Sequence, residues 1–169
     1  MQIQQPTLLV NETQSRSNIE KMAAKAQRHG LRFRPHFKTH QSAQVGEWFR
    51  ENGVEAITVS SLEMAAYFAQ AGWKDITVAF PFNRLEIKTA NRLAAAIQLH
   101  LLVEDWETAA FLQNHLQHEV KIWIKIDVGY HRTGILAENT AEIEAVLCQI
   151  SQNDKTTFAG FLTHAGHSY

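Results

Sequence analysis

The sequence predicts an α/β protein in which parallel strands form a TIM barrel. Segments with strand composition alternate with segments of helical periodicity, and no Asn-Gly or Asp-Gly hairpin joins two strands, so helical crossovers must connect parallel strands. This alternation also suits a doubly wound sheet. Two observations favour the barrel: no Gly-rich phosphate-binding loop opens a helix, and polar clusters follow the C-terminal ends of strands, where barrel enzymes place their chemistry.

Helices are predicted where apolar residues recur every three or four positions between a capping residue and a breaker. Gly30 ends the first helix, Ser42 caps the second, and Asp105 caps the fifth. Ser60 and Glu63 have the spacing of a capping box, and we interpret them as capping rather than catalytic residues. The predicted helices cover residues 17–29, 42–52, 60–72, 84–95, 105–116 and 140–152.

Seven strands are predicted from short runs rich in apolar and β-branched residues. The strands cover residues 7–10, 31–38, 56–59, 75–80, 97–103, 120–128 and 158–163, and residues 129–134 form a loop. A complete barrel needs eight strands and usually about 250 residues. We therefore expect the chain of 169 residues to be part of a longer polypeptide.

Composition excludes several classes of function. Lys plus Arg number 16 and Asp plus Glu number 17, for a net charge of -1, which argues against partners such as nucleic acid or a membrane surface. The single cysteine, Cys148, allows no intrachain disulfide. The first residues lack the features of a signal peptide, and no apolar run reaches transmembrane length. A cytoplasmic protein is the simplest expectation.

The segment Leu31–Ser42 carries the most informative chemistry. As a strand, it would point Leu31, Phe33, Pro35 and Phe37 to one face and basic side chains to the other. At its C-terminal end, Lys38 stands between two histidines. A partly desolvated lysine amine loses its proton more readily and can attack a carbonyl. The alternative is a solvated basic strand end, and the segment alone does not decide between them.

Three separated motifs together resemble one group of enzymes. RPHFKTHQS starts at Arg34, IKIDVGYHRTGI at Ile124 and GFLTHAGHSY at Gly160. They resemble the D-threonine aldolase and D-serine dehydratase group, which shares the alanine racemase N-terminal domain of the fold-type III pyridoxal-phosphate (PLP) enzymes. The opening PTLLVNETQSRSNIEKM is also similar to the family's start, with Asn11 where an aspartate is common.

The resemblance implies a (β/α)8 barrel of the alanine racemase type that holds PLP. Residues 1–169 would form the N-terminal part of this PLP-binding domain, with about six of its eight strands. The strand at residues 7–10 would belong with a β-rich C-terminal domain, most of which lies outside this chain. The resemblance also implies a homodimer.

The resemblance further assigns roles to individual residues. Lys38 matches the lysine that binds PLP covalently. His36 and His40 lie too far apart on a strand to share a metal ion unless the backbone turns. We expect them to contact the lysine or the cofactor, with His40 the better candidate for a catalytic acid or base.

Three further residues match positions of the cofactor pocket. Arg132 matches an arginine near the cofactor, with a salt bridge to Asp127 as the alternative. His164 matches a histidine that packs against the pyridine ring, with a satisfied core histidine as the alternative. Tyr169 matches a tyrosine of the same pocket.

The function that the resemblance implies is that of a PLP-dependent lyase acting on small D-β-hydroxy-α-amino acids. The D-threonine aldolase type would cleave the substrate by a retro-aldol reaction. The alternatives are a D-serine dehydratase, an amino-acid racemase, a non-catalytic PLP-binding protein, or an inactive fragment. The resemblance also implies a divalent metal whose ligands lie outside this chain, so no metal ligand is assigned.

Overall fold

The computed structural model of the chain describes residues 4, 7, 9–152 and 154–168. Tyr169 lies outside these residues. The described strands are β1 (Ala56–Val59), β2 (Asp75–Pro81), β3 (Gln98–Val103), β4 (Val120–Asp127), β5 (Ile135–Leu136) and β6 (Thr156–Thr163). The α-helices are α1 (Glu12–Arg28), α2 (Ala43–Arg50), α3 (Leu62–Gln70), α4 (Ile87–Ala94), α5 (Trp106–His115) and α6 (Thr140–Ser151).

The strands form one sheet in which all pairs are parallel. Its order is β1-β2-β3-β4, with β6 and the two-residue β5 both paired to β4. The sheet does not close within the described residues, as expected if the chain forms only part of the predicted barrel. Since every helix from α3 to α5 connects neighbouring parallel strands, the predicted crossover topology is confirmed.

Two predicted strands differ from the structure. The described residues at 7, 9 and 10 have no strand conformation, and residue 8 lies outside the description. Residues 31–38 do not form a regular strand: they contribute one parallel bridge, between His36 and Thr58, before a 3₁₀ turn at Phe37–Thr39. Pro35 explains part of this difference, because a proline has no N–H to donate to a neighbouring strand. The C=O of Pro35 still accepts a hydrogen bond from the N–H of Thr58, at 2.9 Å.

Two of the three predicted capping residues cap their helices. The side chain of Ser42 accepts the N–H of Val45, and that of Asp105 accepts the N–H of Thr108. The capping box prediction is wrong by one residue, because Ser61 rather than Ser60 caps α3, and its side chain accepts the N–H of Met64. Helix α1 begins at Glu12, earlier than predicted, since the side chain of Asn11 provides its cap.

The two faces of the sheet differ in polarity. One face packs against the helices and forms the apolar core, to which the strands contribute Ile57, Val59, Ile76, Val78, Leu99, Leu101, Ile122 and Ile124. The opposite face, inside the partial barrel, carries buried polar residues: Thr58, Thr77, His100 and Lys125. Among the residues described, no helix combines the length and the apolar composition that a membrane crossing requires.

Candidate active site

Lys38 lies in the 3₁₀ turn and is fixed through the residue before it. Phe37 is 0% exposed and packs against the rings of Phe49, Phe68 and Trp73, with centroids 4.9 to 5.2 Å away. The ring nitrogen Nδ1 of His36 accepts the N–H of Lys38 at 3.3 Å. The turn therefore anchors Phe37 in the core and leaves the Lys38 side chain exposed rather than desolvated.

Two adjoining cavities lie at the C-terminal ends of the strands. The larger has a volume of about 620 Å³ and the smaller about 250 Å³. Lys38, His36 and Arg132 line both, together with Phe80 at the end of β2. His164 lines the smaller cavity. The sequence motifs around Lys38, Arg132 and His164 thus meet at one place, as expected of a barrel mouth.

The loop after β4 positions Arg132. The Asp127 carboxylate accepts the backbone N–H groups of Gly129 and His131, each at 3.0 Å, and it lies 3.1 Å from the His131 ring nitrogen Nδ1. These hydrogen bonds lower the pKa of Asp127, and the bond from the N–H of His131 has the largest effect. Among the described residues Asp127 makes no ion pair with Arg132. The guanidinium of Arg132 lies 5.9 Å from the centre of the Tyr130 ring, and Arg132 lines both cavities.

The histidines at this site have lowered pKa values. Burial, followed by the charge of Lys38, lowers the pKa of His36 to about 4. Burial also lowers the pKa of His164, and the nearby cations Arg132, Lys125 and Lys38 add to that effect. Both imidazoles are therefore neutral near pH 7, where a neutral ring can accept a proton or stack on an apolar surface.

His40 lies away from both cavities. Its ring packs against Phe37 and stacks on Phe49, with centroids 4.6 and 5.8 Å apart. Its Nδ1 accepts the N–H of Ser42 at 3.1 Å, so Nε2 carries the hydrogen, and Nε2 is buried without a hydrogen-bond partner among the described residues. The structure brings His36, Lys38, Arg132 and His164 together but does not bring His40 to them.

Sequence reasoning missed two residues of this site. Lys125 is only 4% exposed and lines the smaller cavity from β4. Tyr130 packs edge to face against His164, with ring centroids 5.1 Å apart and an interplanar angle of 75°. The alternation of VKIWIKIDV contains the signal for Lys125, because its position faces the barrel interior rather than the helices.

Lys125 belongs to a small charged cluster. Burial and the charge of Arg132 lower its pKa, whereas the carboxylates of Asp127 and Glu104 act in the opposite direction. Burial raises the pKa of Glu104, although its carboxylate accepts the N–H of Gly134. The Glu104 oxygen Oε2 is buried and has no hydrogen-bond partner within the described part of the chain. In that part no three His, Cys, Asp or Glu side chains are placed to hold a metal ion.

Comparison with known proteins identifies the family. A family model described as "Alanine racemase, N-terminal domain" matches residues 10–169. The chain belongs to the alanine racemase N-terminal domain family. Its strands are therefore part of a TIM barrel of the alanine racemase type, and the predicted fold class is confirmed.

Relatives of this family member include enzymes named for D-amino acids. A D-serine dehydratase from Dictyostelium discoideum is 30% identical over 97% of this chain and 45% of its own length. A 3-hydroxy-D-aspartate aldolase from Paracoccus denitrificans is 28% identical over 98% of this chain and 44% of its own. The solved D-threo-3-hydroxyaspartate dehydratase from Delftia sp. is 31% identical with a TM-score of 0.85, over 95% of this chain and 43% of that one. The chain thus spans less than half the length of these relatives.

Proposed function

We propose that this chain contributes the PLP site of a lyase that acts on D-β-hydroxy-α-amino acids. The observation that supports this function is the position of Lys38, an exposed primary amine in a cavity that Arg132 also lines. A primary amine such as that of lysine can condense with the aldehyde of PLP to form a C=N bond. Members of the family are PLP-dependent enzymes, and the motif around Lys38 matches their lysine.

The residues present suit PLP in size and in chemistry. A cavity of about 620 Å³ lies within the range of small-molecule sites. Arg132 makes no ion pair within the described residues, so its guanidinium is available for an anionic oxygen of the cofactor. His164, held by the ring of Tyr130, offers a flat neutral surface for stacking. When bound, PLP supplies an electron sink for the pair of electrons left at Cα.

The protein's own groups perform the remaining tasks. Lys38 Nζ would hold the cofactor, and as a free amine at this position it could take or return a proton at the substrate Cα. His36 lies next to it and is neutral near pH 7, so it does not compete with Lys38 as a cation. Arg132 stabilises negative charge in the cavity without giving up its proton.

Two reactions fit this site. In the aldolase reaction the Cα–Cβ bond of the substrate breaks and an aldehyde leaves, with glycine as the other product. In the dehydratase reaction the α-proton and the β-hydroxyl leave as water, and the unsaturated amine that remains hydrolyses to a keto acid and ammonia. We propose the D-threonine aldolase type first, from the motifs. The dehydratase is a second candidate, because two of the relatives that are 30% or more identical are dehydratases.

Turnover by the full-length protein loaded with PLP tests the proposal. D-Threonine should give glycine and acetaldehyde if the protein is an aldolase, and D-serine should give pyruvate and ammonia if it is a dehydratase. The L-enantiomers serve as controls. Loss of the optical rotation of a D-alanine solution would indicate the racemase alternative. The absence of turnover of any D-β-hydroxy-α-amino acid would contradict the lyase function.

Metal dependence and assembly are further parts of the proposal. We propose that the full-length protein uses a divalent metal, which residues outside this chain would hold and which would supply a Lewis acid for the substrate β-hydroxyl, and that it is a homodimer. Treatment with a chelator should then abolish lyase turnover, and added divalent metal should restore it. Light scattering should give twice the mass of one chain.

A further inference from the structure

Lys125 is a largely buried lysine whose ammonium has no anionic partner among the described residues. Its side chain starts on β4, on the face inside the barrel, and is 4% exposed. No carboxylate of the described residues lies within the 4.0 Å of an ion pair with its ammonium, and no hydrogen bond from it is formed within that part of the chain. Glu104 and Asp127 influence Lys125 only through longer-range charge. Partial desolvation of an ammonium without an anionic partner costs free energy that a bound anion offsets.

The other cations of the smaller cavity already have partners or roles. Arg34 donates to the Asp75 carboxylate at 2.6 Å. Lys38 and Arg132 are assigned to the cofactor in the proposed function. Lys125 is the remaining cation among the residues described around this cavity, and it lies in the same cavity as the amine that meets the substrate.

We propose that Lys125 binds a carboxylate of the substrate. This inference rests on the proposed function and adds to it the residue that recognises the substrate's negative charge. Every α-amino acid has an α-carboxylate, and a substrate of the hydroxyaspartate class has a second one. Both present the same chemistry to an ammonium, which donates up to three hydrogen bonds to carboxylate oxygens.

Kinetics of the full-length, PLP-loaded protein separate the two carboxylates. Lys125→Met keeps the length of the side chain and removes its charge. Lys121→Met is the matched control, since Lys121 lies on the same face of β4 but lines a different cavity, beside His100 and Trp123. We expect Lys125→Met to lower kcat/KM by about 10- to 100-fold, the usual effect of losing a charged hydrogen bond. The control should change it by less than about threefold.

The substrate dependence identifies the carboxylate. An equal loss for D-serine, D-threonine and D-threo-3-hydroxyaspartate assigns Lys125 to the α-carboxylate. A loss confined to D-threo-3-hydroxyaspartate assigns it to the second carboxylate and defines the substrate class as dicarboxylic. Unchanged kcat/KM for all three substrates would overturn the proposal.

Binding of unreactive carboxylates provides a readout that does not depend on turnover. Calorimetry with propionate and succinate should show about tenfold weaker binding of at least one of them to Lys125→Met than to the parent protein. Titration with PLP should give the same affinity in both. If PLP affinity falls and carboxylate affinity does not, Lys125 serves the cofactor and the proposal is wrong. This comparison remains decisive even if no D-amino acid is turned over, which would contradict the proposed function alone.

Discussion

The ring of Phe37 meets the indole of Trp73 edge to face, with centroids 5.2 Å apart and an interplanar angle of 89°. Both side chains are at most 2% exposed. The segment before Lys38 has no regular strand pairing beyond one bridge, so these ring contacts replace a strand ladder in fixing its backbone. The position of the Lys38 amine therefore depends on the packing of its neighbour in the chain.

Phe37→Ala should lower the free energy of unfolding by about 3 to 5 kcal/mol, since it removes a fully buried ring and leaves a cavity. Phe37→Leu, which keeps most of the volume, should cost less than half of that. Urea unfolding of the full-length protein measures both. Equal effects of the two substitutions would contradict this prediction, because they would show that buried volume alone is not what Phe37 contributes.

The Asp75 carboxylate ties the same segment to the sheet. It accepts hydrogen bonds from Arg32 and Arg34, each at 2.6 Å, and from Nε2 of His100 at 3.0 Å. Trp123 Nε1 donates to Nδ1 of His100 at 3.0 Å, so the hydrogen of the neutral imidazole is on Nε2 and points to Asp75. Burial would raise the pKa of Asp75, but the bonds from His100 and Arg34 hold it well below its usual range.

Asp75→Asn should lower the free energy of unfolding by about 3 kcal/mol near pH 7, since it leaves the partly buried guanidinium of Arg34 without its anion. Because the pKa of this carboxyl is lower in the folded state, its ionised form stabilises the fold at pH values above the unfolded-state pKa of about 3.9. This stabilisation is lost as the pH falls through the folded-state pKa. The difference between Asp75→Asn and the parent should thus shrink below about pH 4.

Urea unfolding at a series of pH values checks this prediction. Glu47→Gln is the control, because the Glu47–Arg50 pair is exposed and should contribute less than about 1 kcal/mol. A constant difference for Asp75→Asn across the whole pH range would contradict the role of the Asp75 charge.

Gly134 and Gly129 bracket the loop that presents Arg132. Both have positive φ, at 111° and 99°, where any side chain is strained. A Cβ at position 134 would lie 2.8 Å from Cγ of Lys125, whereas one at position 129 would meet nothing within 4 Å. Gly134→Ala should therefore cost about 1 to 3 kcal/mol more than Gly129→Ala and weaken PLP binding. Equal costs would show that close packing against Lys125 is unimportant.

His36 should titrate with a midpoint of about 4, because burial and the Lys38 charge disfavour its protonated form. Folding favours the neutral ring, so this group's contribution to stability is lost as the pH falls below about 6.5. NMR of isotope-labelled histidine measures the midpoint. Lys38→Met should raise it, since a neighbouring cation is removed. A midpoint at the ordinary value in the parent would contradict the burial of His36.

Much of the fold was predictable from local pattern. Strands such as Ala56–Val59 and Val120–Asp127 are apolar runs between clear helix caps, and the structure confirms them. The irregular course of residues 31–36 was not predictable, because the side chains of Arg32 and Arg34 bond to Asp75, more than 40 positions later in the chain. Such long-range contacts leave no local periodicity.

The candidate site shows the same limit. Motif spacing indicated Lys38, Arg132 and His164, which do line one pair of cavities. It could not indicate that His40 turns into the aromatic packing around Phe37, because side-chain direction in a 3₁₀ turn does not follow strand alternation.

The covalent role of Lys38 is tested most directly by visible absorption of the full-length protein mixed with PLP, compared with its Lys38→Ala and Lys121→Ala variants. We predict that the absorption band of lysine-bound PLP forms in the parent and in Lys121→Ala and is absent in Lys38→Ala. A band of equal strength in Lys38→Ala would contradict the assignment of Lys38 and the site built around it.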